Sequence, residues 1–353
     1  MMNLKDLVRK NIRELEGYEP GFQPRGDDYI KLNTNENPYP PSPSVLRIMQ
    51  EALTVDLRKY PDPLANEMRD VVASLHEVTR DHVLIGNGSD DILTIIVRTF
   101  LDQNDTVILT DPTYTVFEVL SVIQDAQISV IPLTNDFSLP ASLFSSEAKL
   151  TFIARPNAQT GTLFEKEQLQ KLIKNARGLV VIDEAYVDFA RDNCIDLLKE
   201  RNNVLITRSF SKSYALAGMR IGYALADPSI ITEMIKVKDS YNVNRVSILA
   251  GMCALKDTDY YTKCLKKIID ERNFLFSNLK RLGLDPYPSQ ANFILVKTGH
   301  YPAQKLFNEL KKKKILVRYF NTPRLRDCLR ISIGTHKQMV ILVKTIEEIL
   351  NNN

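Results

Sequence analysis

One lysine in this sequence lies where a side-chain amine can act as a nucleophile. Lys212 belongs to the segment Ser209–Arg220 (SFSKSYALAGMR), which follows Val204–Thr207, an apolar run typical of a buried strand. Ligands of open α/β sheets collect beyond the carboxyl ends of the strands. A lysine at that edge can be desolvated, which favours its neutral form, and the free amine can condense with a carbonyl compound to form a Schiff base. The alternative is a solvated surface lysine, and the strand context favours the nucleophile.

A carboxylate and a phenol follow a second predicted strand. Asp183 and Tyr186 stand in the sequence DEAY, directly after the apolar run LVVI. A carboxylate at a strand end can keep a pyridine nitrogen protonated, because the negative charge raises the pKa of that nitrogen. The alternative is that Asp183 only caps the next turn. Tyr186 can donate a hydrogen bond to a phenolic oxygen on the same ring. We therefore predict pyridoxal 5'-phosphate (PLP) as the cofactor, with Lys212, Asp183 and Tyr186 as the catalytic residues.

A glycine-rich turn offers a cup for the cofactor's phosphate. The sequence GNGSDD (Gly86–Asp91) joins the apolar run VLIG to a helical pattern for which Ser89 is a suitable N-cap. Glycines let the backbone approach an anion closely, and a helix N-terminus presents free N–H groups. Ser211 and Arg220 can add a hydroxyl and a guanidinium. A plain strand-to-helix turn is the alternative. The turn is not a Walker loop, because the sequence contains no GxxxxGKS/T.

Three more residues are candidates for the site. Tyr114 follows another predicted strand, in DPTYTVF, and can stack on the cofactor ring, with ordinary packing as the alternative. Arg318 and Arg330 lie on or beside apolar strands. A buried arginine needs an anionic partner. That partner is either an internal Asp or Glu or, through a bidentate contact, the carboxylate or phosphate of a substrate.

The order of elements predicts an α/β fold. Strands that alternate with helices form a mostly parallel sheet that helices cover on both faces, here of a seven-stranded type. The predicted strands are Val83–Gly86, Val107–Thr110, Leu150–Ala154, Leu179–Ile182 and Val204–Thr207. A long helical region, Asp227–Leu282, and the apolar runs after it predict a smaller α+β domain. We therefore expect an N-terminal arm and substrate loop at 1–42, which packs on the small domain and on a partner subunit, a large PLP-binding domain at 43–245 and a small domain at 246–353.

The composition restricts the class of protein. The chain has 353 residues, which favours two domains. Its net charge of +3, from 46 basic and 43 acidic residues, argues against a nucleic-acid or membrane-surface partner. The four cysteines are scattered and the four histidines lack metal-site spacing, so we expect reduced thiols, no metal and a cytoplasmic location. No signal-peptide pattern and no membrane-spanning apolar run is present in the sequence.

Taken in order, the motifs resemble those of the PLP-dependent aminotransferases of fold type I over nearly the whole chain. The matching segments are NENPYP, YPDP, GNGSDD, PTY, DEAY, SFSK…AGMR and LRISIG. Within that superfamily the chain is most similar to the histidinol-phosphate aminotransferases, through LNTNENPYPPSP, KYPDP, SFSKSYALAGMRIGY and VRYF…CLRISIG. The resemblance implies transfer of the amino group of L-histidinol phosphate to 2-oxoglutarate, which yields imidazole-acetol phosphate and glutamate in histidine biosynthesis.

The resemblance also implies roles for individual residues. Lys212 would be the Schiff-base lysine, Asp183 would contact the pyridine nitrogen and Tyr186 the phenolic oxygen. The other cofactor-binding residues would be Ser89, Asp90, Tyr114, Ser209, Ser211 and Arg220. Tyr60 would reach the cofactor phosphate of a second subunit, which makes the protein a homodimer. The substrate-binding residues would be Tyr18, Asn35, Arg318 and Arg330.

One turn departs from the family pattern. The family turn commonly reads PNNPTG, and its second Asn bonds the phenolic oxygen of the cofactor. Here Pro156–Gly161 reads PNAQTG, so that Ala158 occupies the position of this Asn. Either Asn157 takes over the cofactor contact, or Tyr186 carries it alone.

Four other functions remain open. An aromatic amino acid aminotransferase or a threonine-phosphate decarboxylase would carry the same cofactor groups, and only the substrate loop and the strands at Arg318 and Arg330 distinguish them. A nucleotide-binding α/β module without PLP would bind no lysine-linked chromophore, and the sequence lacks its glycine motifs. A catalytically silent regulator on the same fold is disfavoured, because no DNA-binding segment is attached.

Overall fold

A computed structural model describes residues 7–17, 20–24, 26, 28–54 and 58–352 of the chain. The strands are β1 (Ile30–Lys31), β2 (Val83–Gly86), β3 (Thr106–Asp111), β4 (Gln127–Pro132), β5 (Leu150–Ala154), β6 (Leu179–Asp183), β7 (Val204–Ser209), β8 (Gly222–Ala226), β9 (Asp285–Pro286), β10 (Phe293–Lys297), β11 (Ile315–Leu316), β12 (Arg318–Tyr319) and β13 (Cys328–Ser332). The helices are α1 (Lys10–Glu14), α2 (Pro43–Ala52), α3 (Asn66–Leu75), α4 (Ser89–Phe100), α5 (Val116–Ile123), α6 (Lys166–Asn175), α7 (Leu197–Glu200), α8 (Pro228–Val237), α9 (Arg245–Lys256), α10 (Thr258–Arg281), α11 (Ala303–Lys312) and α12 (His336–Asn351).

A seven-stranded sheet, in the order β2-β8-β7-β6-β5-β3-β4, forms the centre of the larger part. Only β8 runs antiparallel to its neighbours in this sheet. Apolar side chains of the strands alternate between two cores: Val181 packs in one, and Val180 and Ile182 pack in the other. Helices α4, α5 and α8 cover the first face, while α2, α3, α6 and α9 cover the second. The predicted α/β fold with a mostly parallel, doubly covered sheet is confirmed.

The smaller part contains an antiparallel sheet of four strands in the order β12-β13-β10-β9, on which α10 and α11 pack. Helix α12 packs against α10 and α11. A two-stranded parallel sheet joins β1 to β11, so the N-terminal segment is tied to this part. The arm also packs elsewhere: α1 contacts α5, and the side-chain amide of Asn11 donates to the carbonyl oxygen of Val122 at 2.7 Å. The arm thus touches both parts of the chain.

The sequence prediction missed two elements and outlined two others only coarsely. Strand β4 was not predicted, because it lies at the sheet edge with most side chains exposed, and its sequence QISVIP is not a continuous apolar run. Strand β8 was not predicted either, because Gly and Ala give it a weak strand pattern although it is fully buried. The predicted helical region Asp227–Leu282 contains three helices, α8, α9 and α10. The sequence pattern of residues 1–17 also predicts a short helix, and in the described part of that segment α1 spans five residues.

The domain boundaries stay a prediction. The expected boundary at 245/246 falls at the start of α9, and this helix packs against α2 and α3 on the larger part.

No helix within the described residues is long and apolar enough to cross a membrane.

Candidate active site

A cavity of about 880 Å³ opens at the carboxyl ends of β6 and β7, between the two parts of the chain. It is the place where ligands of an open α/β sheet are expected. The predicted site residues that line it are Asn35, Ser89, Asp90, Tyr114, Asp183, Tyr186, Ser209, Ser211, Lys212, Arg220, Arg318 and Arg330. The chain therefore brings together residues that lie almost 300 positions apart in the sequence.

Asp183 ends β6 and is only 4% exposed. Its Oδ1 accepts hydrogen bonds from the backbone N–H of Ala185 at 3.0 Å and from the hydroxyl of Thr207 at 3.2 Å. Burial raises the pKa of this carboxyl from 3.8 to about 7, against the lowering effect of these two bonds, and the nearby Asp90 and Glu184 raise it further. A cation in the cavity would stabilise the ionised form.

Lys212 follows β7 by three residues and reaches the same cavity. Its Nζ donates to the carbonyl oxygen of Thr34 at 3.2 Å and lies 5.8 Å from the ring centre of Tyr186. The side-chain amide of Asn37 donates to the carbonyl oxygens of both Lys212 and Ser213, at 3.0 Å each. The polar N-terminal loop therefore holds the amine and the backbone of the lysine.

The glycine turn has the geometry of an anion cup. Gly88 has a φ of 87°, in the region that favours glycine, and a Cβ there would lie 2.7 Å from the guanidinium of Arg220. Helix α4 begins at Ser89, so the prediction of Ser89 as N-cap is wrong: Gly88 takes that position and forms no side-chain cap. The first turn of this 12-residue helix, at Ser89 and Asp90, lines the cavity.

Asp90 links the two side chains that flank this cup. Its Oδ2 accepts from Nη2 of Arg220 at 3.2 Å, and its Oδ1 accepts from the hydroxyl of Tyr114 at 3.0 Å. On the other side, the hydroxyl of Ser209 accepts from the backbone N–H of Ser211 at 3.1 Å. The carboxylate of Asp90 thus fixes the guanidinium of Arg220 and the ring of Tyr114. Its backbone N–H belongs to the first turn of α4.

Two arginines face each other at the opposite side of the cavity. Arg318 on β12 and Arg330 on β13 are directly paired in the antiparallel register, and both line the cavity. The guanidinium of Arg330 lies 5.1 Å and 5.2 Å from the ring centres of Phe293 and Phe320, and its Nη1 donates to the carbonyl oxygen of Ala158 at 2.9 Å. Like charges that oppose each other on neighbouring strands repel, and an anion between them removes the repulsion.

Asn157 is not among the described residues that line the cavity. It is fully buried, and its Nδ2 donates to the carbonyl oxygen of Pro112 at 2.9 Å. Its Oδ1 accepts from the backbone N–H groups of Gln159 and Thr160, at 3.0 Å each. These bonds shape the turn, so a cofactor contact by Asn157 stays a prediction without support from this geometry.

Tyr60 lies away from the cavity of its own chain. It is 74% exposed and stacks on Tyr241, with ring centres 4.3 Å apart. Tyr18 lies outside the described residues. Thr34 and Asn37 belong to the predicted N-terminal arm and substrate loop, but no contact was predicted for either. Their contacts with Lys212 depend on a distant part of the chain.

The sequence also matches a known family. The model for aminotransferase class I and II matches residues 27–346. The chain belongs to this aminotransferase family. The matched residues include every cavity residue described above, from Thr34 to Arg330. The cavity residues described above therefore lie within the matched part of the chain.

Individual relatives agree with the family. A histidinol-phosphate aminotransferase from Microcystis aeruginosa is 42% identical over 346 residues, which cover 98% of this chain and 99% of the relative. Another enzyme of the same name, from Synechocystis, is 43% identical over 339 residues and covers 96% of this chain and 97% of the relative. A solved histidinol-phosphate aminotransferase from Sinorhizobium meliloti, in complex with pyridoxal-5'-phosphate, has a TM-score of 0.85 at 28% identity, and covers 92% of this chain and 91% of its own.

Proposed function

We propose that this aminotransferase transfers the amino group of L-histidinol phosphate to 2-oxoglutarate, and so forms imidazole-acetol phosphate and glutamate in histidine biosynthesis. The observation that carries the proposal is a single cavity in which an amine, a buried carboxyl and two opposed arginines meet: Lys212, Asp183, Arg318 and Arg330. The relatives named histidinol-phosphate aminotransferase support this substrate.

The residues of the cavity fit pyridoxal 5'-phosphate as cofactor. Asp183 is a buried carboxyl whose pKa is raised by burial, and a ring N–H cation beside it would favour its ionised form. The cup at Gly88 and Ser89 combines a close backbone approach with a helix N-terminus and with Arg220, which suits a phosphate. When bound, PLP supplies an electrophilic carbonyl carbon and a ring that accepts electrons.

The protein then has to hold and move protons at defined atoms. With the cofactor bound, the carboxylate of Asp183 would hold the proton on the ring nitrogen, and the hydroxyl of Tyr186 would donate to the phenolic oxygen. Nζ of Lys212 would act as the base toward the substrate carbon that bears the amino group and as the acid toward the cofactor's carbonyl carbon. The bonds from Asn37 to the carbonyl oxygens of Lys212 and Ser213 fix the backbone from which this amine extends.

The opposed arginines select the anionic end of each substrate. A guanidinium stays charged at every working pH and offers two parallel N–H donors, so Arg330 and Arg318 can bind a phosphate or a carboxylate. The phosphate of histidinol phosphate and the carboxylate of 2-oxoglutarate would occupy the same place in turn. One anion site therefore serves both halves of the reaction.

We also propose that the enzyme is a cytoplasmic homodimer in which Tyr60 completes the active site of the partner subunit. A phenol that is 74% exposed and fixed by stacking on Tyr241 is available for such a contact. Its hydroxyl would bind the cofactor phosphate across the interface.

A panel of amino donors tests the substrate. The purified PLP-loaded enzyme is given 2-oxoglutarate with L-histidinol phosphate, phenylalanine, tyrosine or threonine phosphate, and glutamate formation is measured. We expect kcat/KM to be highest for histidinol phosphate. Faster transfer from an aromatic amino acid, or release of carbon dioxide from threonine phosphate without glutamate, would replace this proposal by the corresponding alternative.

A further inference from the structure

The asparagine beside the catalytic tyrosine is fixed from several sides. Asn35 is 1% exposed, and its backbone has a φ of 56°, a left-handed conformation that Asn and Asp tolerate better than most residues. Its carbonyl oxygen accepts from the side-chain amide of Asn292 at 2.9 Å. Its backbone N–H donates to the hydroxyl of Ser332 at 2.9 Å. The side chain of Asn35 therefore starts from a fully determined backbone.

These contacts determine the direction of a short chain of hydrogen bonds. The hydroxyl oxygen of Ser332 accepts from the backbone of Asn35, and its own hydrogen goes to Oδ1 of Asn35 at 2.8 Å. Because Oδ1 faces Ser332, Nδ2 faces Tyr186 and donates to its Oη at 3.0 Å. Tyr186 is thus an acceptor in this contact. Its own hydrogen has no acceptor among the described residues, and the side chain lines the cavity.

We propose that Asn35 and Ser332 are positioning residues that orient the Tyr186 O–H bond, so that its hydrogen is presented to the phenolic oxygen of the cofactor. The inference rests on the proposed function. It also gives Asn35 a role other than the substrate contact expected from the sequence. A donor whose direction is set before the cofactor arrives needs no reorganisation when charge develops on the acceptor.

The unusual turn makes this orientation more important in this chain. Ala158 lines the cavity but has no side-chain donor, and the amide of Asn157 is committed to the turn. Of the two side chains expected at the phenolic oxygen, Asn157 and Tyr186, Tyr186 is then the one with a hydrogen to offer. Ser332 lies two positions after Arg330 on β13, so one face of this strand supports both the substrate arginine and the orientation of the tyrosine.

The substitution Asn35→Asp tests the direction of the bond. Asp has the same shape, tolerates the same φ and still accepts the hydrogen of Ser332 on one oxygen. Its second oxygen can only accept, so it takes the hydrogen of Tyr186 and reverses the bond. The readout is the pH midpoint of the visible absorbance of the PLP-loaded enzyme without substrate. Loss of the donor to the phenolic oxygen should raise this midpoint by about one pH unit.

The same substitution in a Tyr186→Phe background separates this effect from the added charge. Phe has no hydrogen to reorient, so the introduced carboxylate acts there through its charge alone. We expect the Asn35→Asp shift to be larger, by about one pH unit, when Tyr186 is present. Equal shifts in the two backgrounds would overturn the proposal.

Ser332→Ala provides a neutral variant. It removes the hydroxyl that orients the amide, so we expect a smaller upward shift with Tyr186 and none in the Tyr186→Phe background; an unchanged midpoint with Tyr186 would exclude Ser332 from the proposal. Urea unfolding and PLP titration of each variant show that it folds and binds the cofactor. If the wild type forms no visible band with PLP, the proposed function fails. If the wild type forms this band and the variants have the same pH midpoint as the wild type, only the present inference fails.

Discussion

Asp183 should make the PLP-free protein less stable as the pH rises. Burial raises the pKa of its carboxyl from 3.8 to about 7 in the folded chain. A carboxyl whose folded pKa is raised contributes its full stability below the unfolded pKa, and this contribution is lost as the pH rises through the folded value. One pKa unit corresponds to about 1.4 kcal/mol, so the loss between pH 4 and pH 7 reaches up to about 4 kcal/mol.

We therefore expect Asp183→Asn to stabilise the PLP-free protein at neutral and alkaline pH. The asparagine cannot ionise, and its Oδ1 can still accept from Ala185 and Thr207. The free energy of unfolding of the variant should exceed that of the wild type by an amount that grows by up to about 4 kcal/mol from about pH 4 to pH 7. Above the folded pKa this difference should level off. Equilibrium urea unfolding of the PLP-free proteins across this range measures it. Saturating PLP should reverse the order, because the carboxylate then meets a cation.

Asp227 provides a control with the opposite sign. It caps α8, and the hydrogen bonds from Ser229 lower the pKa of its carboxyl. Its contribution to stability is present above the unfolded pKa and is lost as the pH falls, so Asp227→Asn should cost stability at neutral pH and nothing in acid. A difference between Asp183→Asn and wild type that is the same at all pH values would refute the assignment of a buried, reluctantly ionised carboxyl.

Other substitutions test the remaining groups of the site. Lys212→Ala should lower the rate of amino transfer by roughly 1,000-fold or more and remove the visible band of lysine-bound PLP; retained turnover would rule out this residue as the nucleophile. Arg330→Ala should raise KM for both substrates by roughly 100-fold and change PLP affinity little, and unchanged kinetics in the same assay would make the arginine structural. Tyr60→Ala should weaken PLP binding, and mixing it with Lys212→Ala should restore activity in hybrid dimers, since one active site then has both intact residues; no complementation would contradict the shared site. Ala158→Asn should lower the pH midpoint of the visible band by roughly one unit if it adds a second donor to the phenolic oxygen, and a midpoint equal to that of wild type would show that the amide does not reach it.

The sequence by itself determined the local elements and the chemistry at their ends. Runs such as Val83–Gly86 and Leu150–Ala154 are strands with the predicted bounds, because continuous apolar residues have no stable place outside a doubly covered sheet. Asp183 and Lys212 were identifiable because each follows such a run, and parallel strands present their carboxyl ends at one edge. The exposed edge strand β4 and the Gly- and Ala-containing β8 lack that signal, so only the hydrogen-bonded neighbours of the sheet reveal them.

Only the tertiary structure decided how distant groups share their protons and charges. The contacts of Asn37 with Lys212, and of Asn35 with Ser332, join residues 175 and 297 positions apart. The register of β12 and β13 opposes the two cavity arginines, and packing at the end of β6 raises the pKa of its aspartate. Hydrophobic periodicity reports which face of a segment is buried. Hydrogen-bond direction and pKa depend on which atoms of other segments lie within a few ångströms, and no local pattern records that.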